Sequence, residues 1–400
     1  MKPKIKLLVA YATFISISDG LLISFIPEYA RSLDFSIVLV GLVVFAYYLT
    51  EMFFRIPIGS ISNIFEDRVM IVIGAVSIVF AGIFYLSSDV YKFFIYLAQV
   101  ALGFGFSITW VTVPSYITRA NGSLSIYTFS VGLGWLVGPP IGGRIRDVFG
   151  FVPLFLSYIS MTLLALIVSI MFYRQGSEES QDTVSISETN LRTLISYIVT
   201  SIAYSFKEAY ALLSRGGKIL LAALVSFIMF MSFSLSFSII PLYIRETLRY
   251  SSFLLGVFTA SNTAAASLVR LLSGKVISTF GEIKALIGGV AIAGITIHLI
   301  PSTTTKINLI AISIVWGLGA GVYLPIAFDL IAQATTEDER GVGMGLRGAT
   351  GTFGAAIGVL VLSKIAGMYS VELSLKIFGA FMVVFAVFLA IWWSLRGSKQ

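Results

Sequence analysis

The chain has no cysteine, one histidine and little charge, with Asp, Glu, Lys and Arg making up 12% of its 400 residues. Without cysteine there are no disulfides and no thiolate metal sites, and the redox compartment is left open. HExxH and the other metal-ligand spacings are absent, as is the phosphate-cradling GxxxxGK[ST] loop, which argues against ATP-driven work by this chain alone. Neither a cofactor nor a metal is expected, and nothing points to an enzyme.

Apolar residues are what the chain has, at 57%, far outside the range of soluble domains. A membrane protein is the class that fits. The net charge of +7 could suggest nucleic acid, but the basic residues are scattered between apolar runs, so they read as topology signals. MKPKIK followed by Leu7–Ile26 is charged like a signal peptide, yet the run is too long and lacks a small-residue cleavage site. It is expected to remain as the first span.

Crossing the bilayer core takes an apolar helix of roughly 20 residues. Twelve runs qualify, spans 1 to 12: 5–31, 36–58, 69–88, 92–116, 124–143, 151–173, 218–244, 251–273, 283–301, 307–333, 342–366 and 373–395. The expected fold class is an all-α membrane protein with twelve transmembrane helices in two parallel six-helix repeats. Between the halves lies 174–217, first polar, then with Leu191, Leu194, Ile198, Ile202, Phe206, Ala209 and Leu213 at three- and four-residue steps. That pattern suits a helix in the membrane interface. The division expected is 1–173, a linker at 174–217, and 218–400.

Internal repeats decide against a thirteenth span in the linker. IPEYAR at 26–31 recurs as IPLYIR at 240–245; Gly41, Arg55 and Gly59 match Gly256, Arg270 and Gly274. Gly134 and Gly138 match Gly354 and Gly358 at a slightly larger offset. Halves in the same order need an even number of crossings between equivalent points. Of the 27 Lys and Arg residues, 16 fall on the side of the N-terminus and 9 on the other, with Arg55 and Arg270 inside spans. That excess places both termini and the linker in the cytoplasm.

GWLVGPPIGG, Gly134 to Gly143, is the most specific stretch. Gly134, Gly138 and Gly142 stand four apart, a smooth stripe where another helix can approach closely. Prolines are tolerated there because neighbouring membrane helices repair the freed backbone groups. Together with twelve spans in two parallel halves, this stretch resembles the major facilitator superfamily, and within it the drug/proton antiporters. Gly134, Gly138, Pro139, Gly142 and Gly143 match that branch's fifth-helix motif, GxxxGPxxGG. The loop between spans 2 and 3, GSISNIFEDR, keeps Gly59 and Arg68 of the family's GxxxDRxGRR but has Asn63 in place of aspartate. The resemblance implies two bundles rocking around a central cavity lined mainly by spans 1, 4, 7 and 10, with substrate near the midplane.

A charge at the bilayer centre costs at least roughly 2.5 kcal/mol, so ionisable residues there call for an explanation. Asp19 sits mid-span 1 on the face of Thr13, Ser16 and Ser24, opposite an apolar repeat partner near Phe233. Asp19 is the first candidate for proton coupling, and a structural hydrogen-bonding role the alternative. Glu51 is the second candidate, although Arg55 four residues on can pair with it. Asp329 could engage Arg270 or Arg347 as a gate latch. His298, near the outer end of span 9, reads as an interfacial residue. Candidate cavity positions are Ser16, Tyr47, Thr109, Trp110, Asn262 and Tyr323, a lining without fixed cations that suits amphipathic or weakly basic solutes.

The function expected is proton-coupled efflux of a small organic or drug-like solute by alternating access. Uptake of a sugar, peptide or organic acid and a non-transporting sensor are the alternatives. The expected partners are the small-molecule substrate, protons and the lipid bilayer of the plasma membrane. No nucleic acid partner is expected, and the chain is read as a monomer.

Overall fold

Three prolines set the breaks in otherwise continuous helices. A proline has no N–H, and its ring crowds the carbonyl four residues earlier. In the computed structural model, which describes residues 2–61, 65–176, 191–336 and 339–397, each break contains that earlier residue. Span 1 (Pro3–Ser32) tightens at Ile23–Phe25 before Pro27, and span 7 (Gly217–Thr247) at Leu235–Phe237 before Pro241. Span 10 (Lys306–Ala334) opens into a turn at Gly321 and Val322 before Pro325. Pro27 and Pro241 are repeat equivalents, so this break belongs to the duplicated unit.

The remaining spans are Ile37–Ile58, Asp67–Ser87, Phe94–Arg119, Leu124–Phe149 and Phe151–Arg174 (2 to 6), then Ser252–Phe280, Glu282–Ser302, Gly341–Met368 and Val371–Ser394 (8, 9, 11 and 12). The protein is all-α with twelve membrane-spanning helices, and no strand occurs among the described residues. Spans 5 and 8 run beyond their apolar stretches. They end only at Gly150 and Gly281, whose φ values of 87° and 80° take the chain out of the helical region.

The linker forms a helix at Leu191–Ser214. Its later part does more than lie flat, since Ala209 and Leu212 share a small core with Ile219 of span 7 and Leu346 of span 11, against which Ile56 of span 2 also packs. The linker therefore lies across the ends of both halves. Residues 177–190 and Asn63, with the side chains of Gly59, Arg192, Arg340, Arg396 and Lys399, fall outside the described residues. Twelve crossings put both chain ends on one face with this helix, the terminal face; Lys4 Nζ donates to the Gly176 carbonyl there at 3.0 Å.

One main core runs through both halves. In the first, Tyr29, Tyr85, Phe155 and Tyr158 interlock, with Tyr29 edge-on to Phe155 at 4.7 Å and Tyr85 stacked on it at 5.7 Å. Between the bundles two seams carry most of the contact: span 2 against span 11, and span 5 against span 8.

Candidate functional site

Glycine makes both seams. A Cβ on Gly256 of span 8 would stand 2.8 Å from Cα of Pro140 on span 5, so no other residue lets these backbones meet. The repeat equivalent, Gly41 of span 2, nests against Val359 and Ser363 of span 11. The stripe in span 5 faces elsewhere. Gly134 and Gly138 lie against Ser16 to Gly20, and Gly142 against Leu21, all on span 1 of the same bundle. Gly143 and the Pro139–Pro140 pair turn instead toward Ser252 and Gly256 of the other bundle. One short stretch thus serves two interfaces, and Pro139 and Pro140 lie inside a helix that continues through them.

On the face opposite the termini the bundles are tied by charge. Glu28, at the end of span 1, accepts from Arg245 Nε at 2.9 Å and Nη2 at 2.7 Å, and pairs with Arg146 at 2.5 Å. Ser252 Oγ donates to its other oxygen at 3.0 Å. Asp147 accepts from the backbone N–H groups of Ser252 and Phe253, at 3.0 and 2.8 Å, capping a helix of the other bundle. Arg31 reaches Glu246 at 2.6 Å. Sequence analysis gave these acids no role; Glu28, where the repeat IPLYIR has the apolar Leu242, was the available signal.

Toward the terminal face the second seam opens. Spans 5 and 8 touch loosely at Gly132 and Ser267, 3.9 Å from an added Cβ, and Gly274 further along has open space beside it. Arg270, in between, is exposed on this stretch of span 8. Farther in, Trp135 of span 5 meets Phe237 and Phe233 of span 7 at 5.3 and 5.9 Å, an aromatic contact between the bundles that sequence reasoning missed.

The two candidate acids are both buried. Asp19 is 2% exposed, and its Oδ1 has no hydrogen-bond partner. The charged group acting on it is Glu51. Glu51 itself pairs with Arg55 at 2.7 Å, and Arg55 extends across the first seam toward the Gly348 carbonyl, 3.5 Å away, and over the Phe230 ring. The ion pair foreseen as the alternative for Glu51 is therefore present, at an interface between bundles.

Asp329 is brought to neither arginine among the described residues. One residue along a helix is a turn of about 100°, so Phe328 faces Arg347 while Asp329 is exposed on the side of Glu282. Arg347, counted from sequence with the charges of the terminal face, is instead 8% exposed within span 11. Its guanidinium lies 4.1 Å from the Phe328 ring centroid, and Nε and Nη1 have no hydrogen-bond partner. On the terminal face proper, Arg215 donates to Glu339 through two bonds of 2.6 and 3.0 Å. These bonds, with the Thr336 N–H, hold the Glu339 carboxyl down at about 2.

Five of the six cavity candidates are engaged within their own halves, Tyr47 by a hydrogen bond to Glu51. Ser16 donates to the Ala12 carbonyl and packs on Gly134; Thr109 bonds Tyr11 at 2.9 Å. Asn262 donates to the Ser313 carbonyl at 3.1 Å, and Tyr323 to that of Gly289 at 3.1 Å. Tyr47 is buried beside Tyr48 and Phe106, and Trp110 is half-buried against Phe106. Sequence spacing had placed all six on the right spans, but a helix face toward the cavity cannot be told from one toward a sister helix without the partners. His298 Nδ1 lies 2.9 Å from the Lys376 carbonyl, joining spans 9 and 12.

The family model described as Major Facilitator Superfamily matches residues 8–306 and 222–400. An uncharacterized MFS-type transporter of Methanocaldococcus jannaschii is 21% identical over 383 residues, 92% of each chain. A multi-drug resistance efflux pump of Streptococcus pneumoniae, PmrA, is 23% identical over 261 residues, 64% of this chain and 61% of that one. Among solved structures, a POT family transporter in complex with 5-aminolevulinic acid superposes with a TM-score of 0.80 at 14% identity, over 97% of this chain and 95% of that one. That likeness is one of fold.

Proposed function

The chain belongs to the Major Facilitator Superfamily, and on that premise we propose that this multi-pass membrane transporter exports a small organic or drug-like solute in exchange for protons. The terminal face is assigned to the cytoplasm, on the excess of Lys and Arg there, and the plasma membrane is taken as the protein's site. Residues 1–173 and 218–400 act as two bodies that rock about the glycine seams, joined by the linker 174–217. The Glu28 cluster ties the bundles on the face opposite the termini, and spans 5 and 8 part toward the terminal face.

One observation carries the coupling: a carboxyl on span 1, almost fully buried, with an oxygen that nothing among the described residues satisfies. A charge left there is costly, so the group is suited to carry a proton across a conformational change and release it where water enters. Glu51 is the second candidate, restrained by Arg55. The similarity to PmrA over about three-fifths of each chain supports the outward direction.

Reconstitution in liposomes with an imposed pH gradient tests the assignment. Solute flux driven by the gradient is expected to fall to the leak rate in Asp19→Asn, while exchange without a gradient persists. Undiminished gradient-driven flux in that variant would refute Asp19 as the proton site. Uptake of an organic acid is the second reading, favoured by the unpaired Arg347; the sign of flux under a reversed gradient separates the two.

A further inference from the structure

Among the described residues, Arg347 is a buried cation that no anion meets. It stands seven residues into span 11 from Arg340, roughly 10 Å below the terminal face at the helical rise per residue. Phe328 covers one face of the guanidinium, which offsets part of the cost of burying it. The in-plane N–H groups gain nothing from that ring, and two donor nitrogens, Nε and Nη1, remain without partners. A buried arginine is normally paired or hydrogen-bonded because an uncompensated buried charge is heavily penalised.

Among the described residues, the nearby acids are already engaged or turned away. Glu51 is held by Arg55 at 2.7 Å. Asp329 faces outward, and Glu339 is taken up by Arg215. Arg55 adds its own positive charge across the seam, so two guanidinium groups face one carboxylate. The duplicated frame does not require this cation either. With the offset that pairs Gly134 with Gly354, the counterpart of Arg347 is Tyr127, which faces the same Arg55 charge from span 5.

We propose that Arg347, with Arg55 beside it, binds an organic anion between the bundles, its carboxylate, sulfonate or phosphate on the free guanidinium nitrogens and its apolar body against Phe328 and Phe230. Guanidinium groups match such oxyanions in geometry and charge. The two flanking rings favour an anion with an aromatic or apolar body over an inorganic ion. This deepens the transport reading and rests on it for the space between the bundles being a solute path. An anionic lipid headgroup carries the same chemistry and is the other possible source of the ligand.

Equilibrium binding tests the site without any gradient, so a negative result here leaves Asp19 coupling standing, and a failure of Asp19 leaves this site standing. The protein in phosphatidylcholine nanodiscs is titrated with 2-naphthoate, 2-naphthalenesulfonate and the size-matched cation 2-naphthylmethylammonium, following thermal stability and Trp fluorescence. The two anions are expected to bind saturably and the cation not to. Arg347→Gln should weaken anion binding by about tenfold or more, and Arg347→Lys by less. Should the glutamine variant fail to fold, Phe328→Leu is expected to weaken both anions several-fold, and the wild-type preference for anion over cation remains decisive. Equal binding of anion and cation, no binding of either anion, or unchanged anion affinity in Arg347→Gln would overturn the proposal. Repeating the titration with phosphatidylglycerol in the nanodiscs identifies the source: competition assigns the site to a lipid headgroup, and unaffected binding assigns it to a soluble anion.

Discussion

Glu28 of span 1 accepts two hydrogen bonds from the guanidinium of Arg245 on span 7, at 2.9 and 2.7 Å, and so joins the two halves at the face opposite the termini. The pair is partly buried, with side chains 11% and 18% exposed, and Arg146 shares the same carboxylate oxygen. Removing the carboxylate charge leaves two arginines facing each other.

Glu28→Gln is therefore expected to favour opening on that face. A loss of about 2 kcal/mol from charge-assisted bonds would shift the closed-to-open ratio roughly 30-fold. Because the chain has no cysteine, Thr259→Cys reports this directly. Thr259 lies buried just inside the closure, 3.5 Å from Ser24. Its labelling by a water-soluble maleimide should rise in the Glu28→Gln background, and an unchanged rate would show that the cluster does not hold the closure.

Glu51→Gln removes one partner of a buried pair and leaves Arg55 unpaired near Arg347. Breaking such a pair from one side costs about 3 kcal/mol or more. Glu51→Gln combined with Arg55→Gln should recover most of that loss, since no uncompensated charge remains. Thermal unfolding in detergent of the two single variants and the double variant measures the coupling, and simple additivity would contradict an ion-pair role.

Glycines in span 5 should differ according to what faces them. In Gly138→Ala the new methyl group would lie 2.8 Å from Cα of Gly20, and backbone cannot move aside cheaply. A loss of roughly 1–3 kcal/mol in stability is expected. In Gly132→Ala the nearest atom is Ser267 Oγ at 3.9 Å, and the change should stay within about 0.5 kcal/mol. Similar effects at both positions would show that backbone flexibility, not close approach, is what glycine provides.

The Arg215–Glu339 pair gives an acid dependence. Its hydrogen bonds lower the Glu339 carboxyl from 4.5 to about 2 in the folded protein. A lowered folded-state value means the pair stabilises fully above the unfolded value and is lost as pH falls through the folded one. The stability gap between wild type and Glu339→Gln should thus be constant above about pH 5, narrow below 4.5 and close near 2. The pair is exposed, so the gap will be small and will shrink with added salt. A gap that widened in acid would contradict the assignment.

Much of this fold could be read from the linear chain because a bilayer imposes one-dimensional rules. Helix length must match membrane thickness, backbone groups must be satisfied within each span, and charges are confined to the ends. The repeats were legible for a related reason, since tight helix contacts tolerate only small residues, and Gly41 and Gly134 recur as Gly256 and Gly354 at nearly the same offset. Even the position of the helix breaks follows from proline chemistry at Pro27 and Pro241.

The site was less legible. Glu51 and Arg55 were paired correctly because four residues along one helix fix their proximity, whereas Asp329 was given partners it does not reach. Thr109, Asn262 and Tyr323 have the polarity of cavity residues, but their hydroxyl and amide groups satisfy neighbours within a bundle.

By itself the sequence determined the membrane class, the twelve spans, their duplication and the small-residue stripe, all properties of single helices in a bilayer. Only the tertiary structure decided which helix meets the stripe, that Gly143 and Pro139 serve the other bundle, and that Arg347 is buried without an anion. Those facts depend on the rotation of each helix about its axis, which is set by packing between spans far apart in the chain and leaves no trace in local spacing.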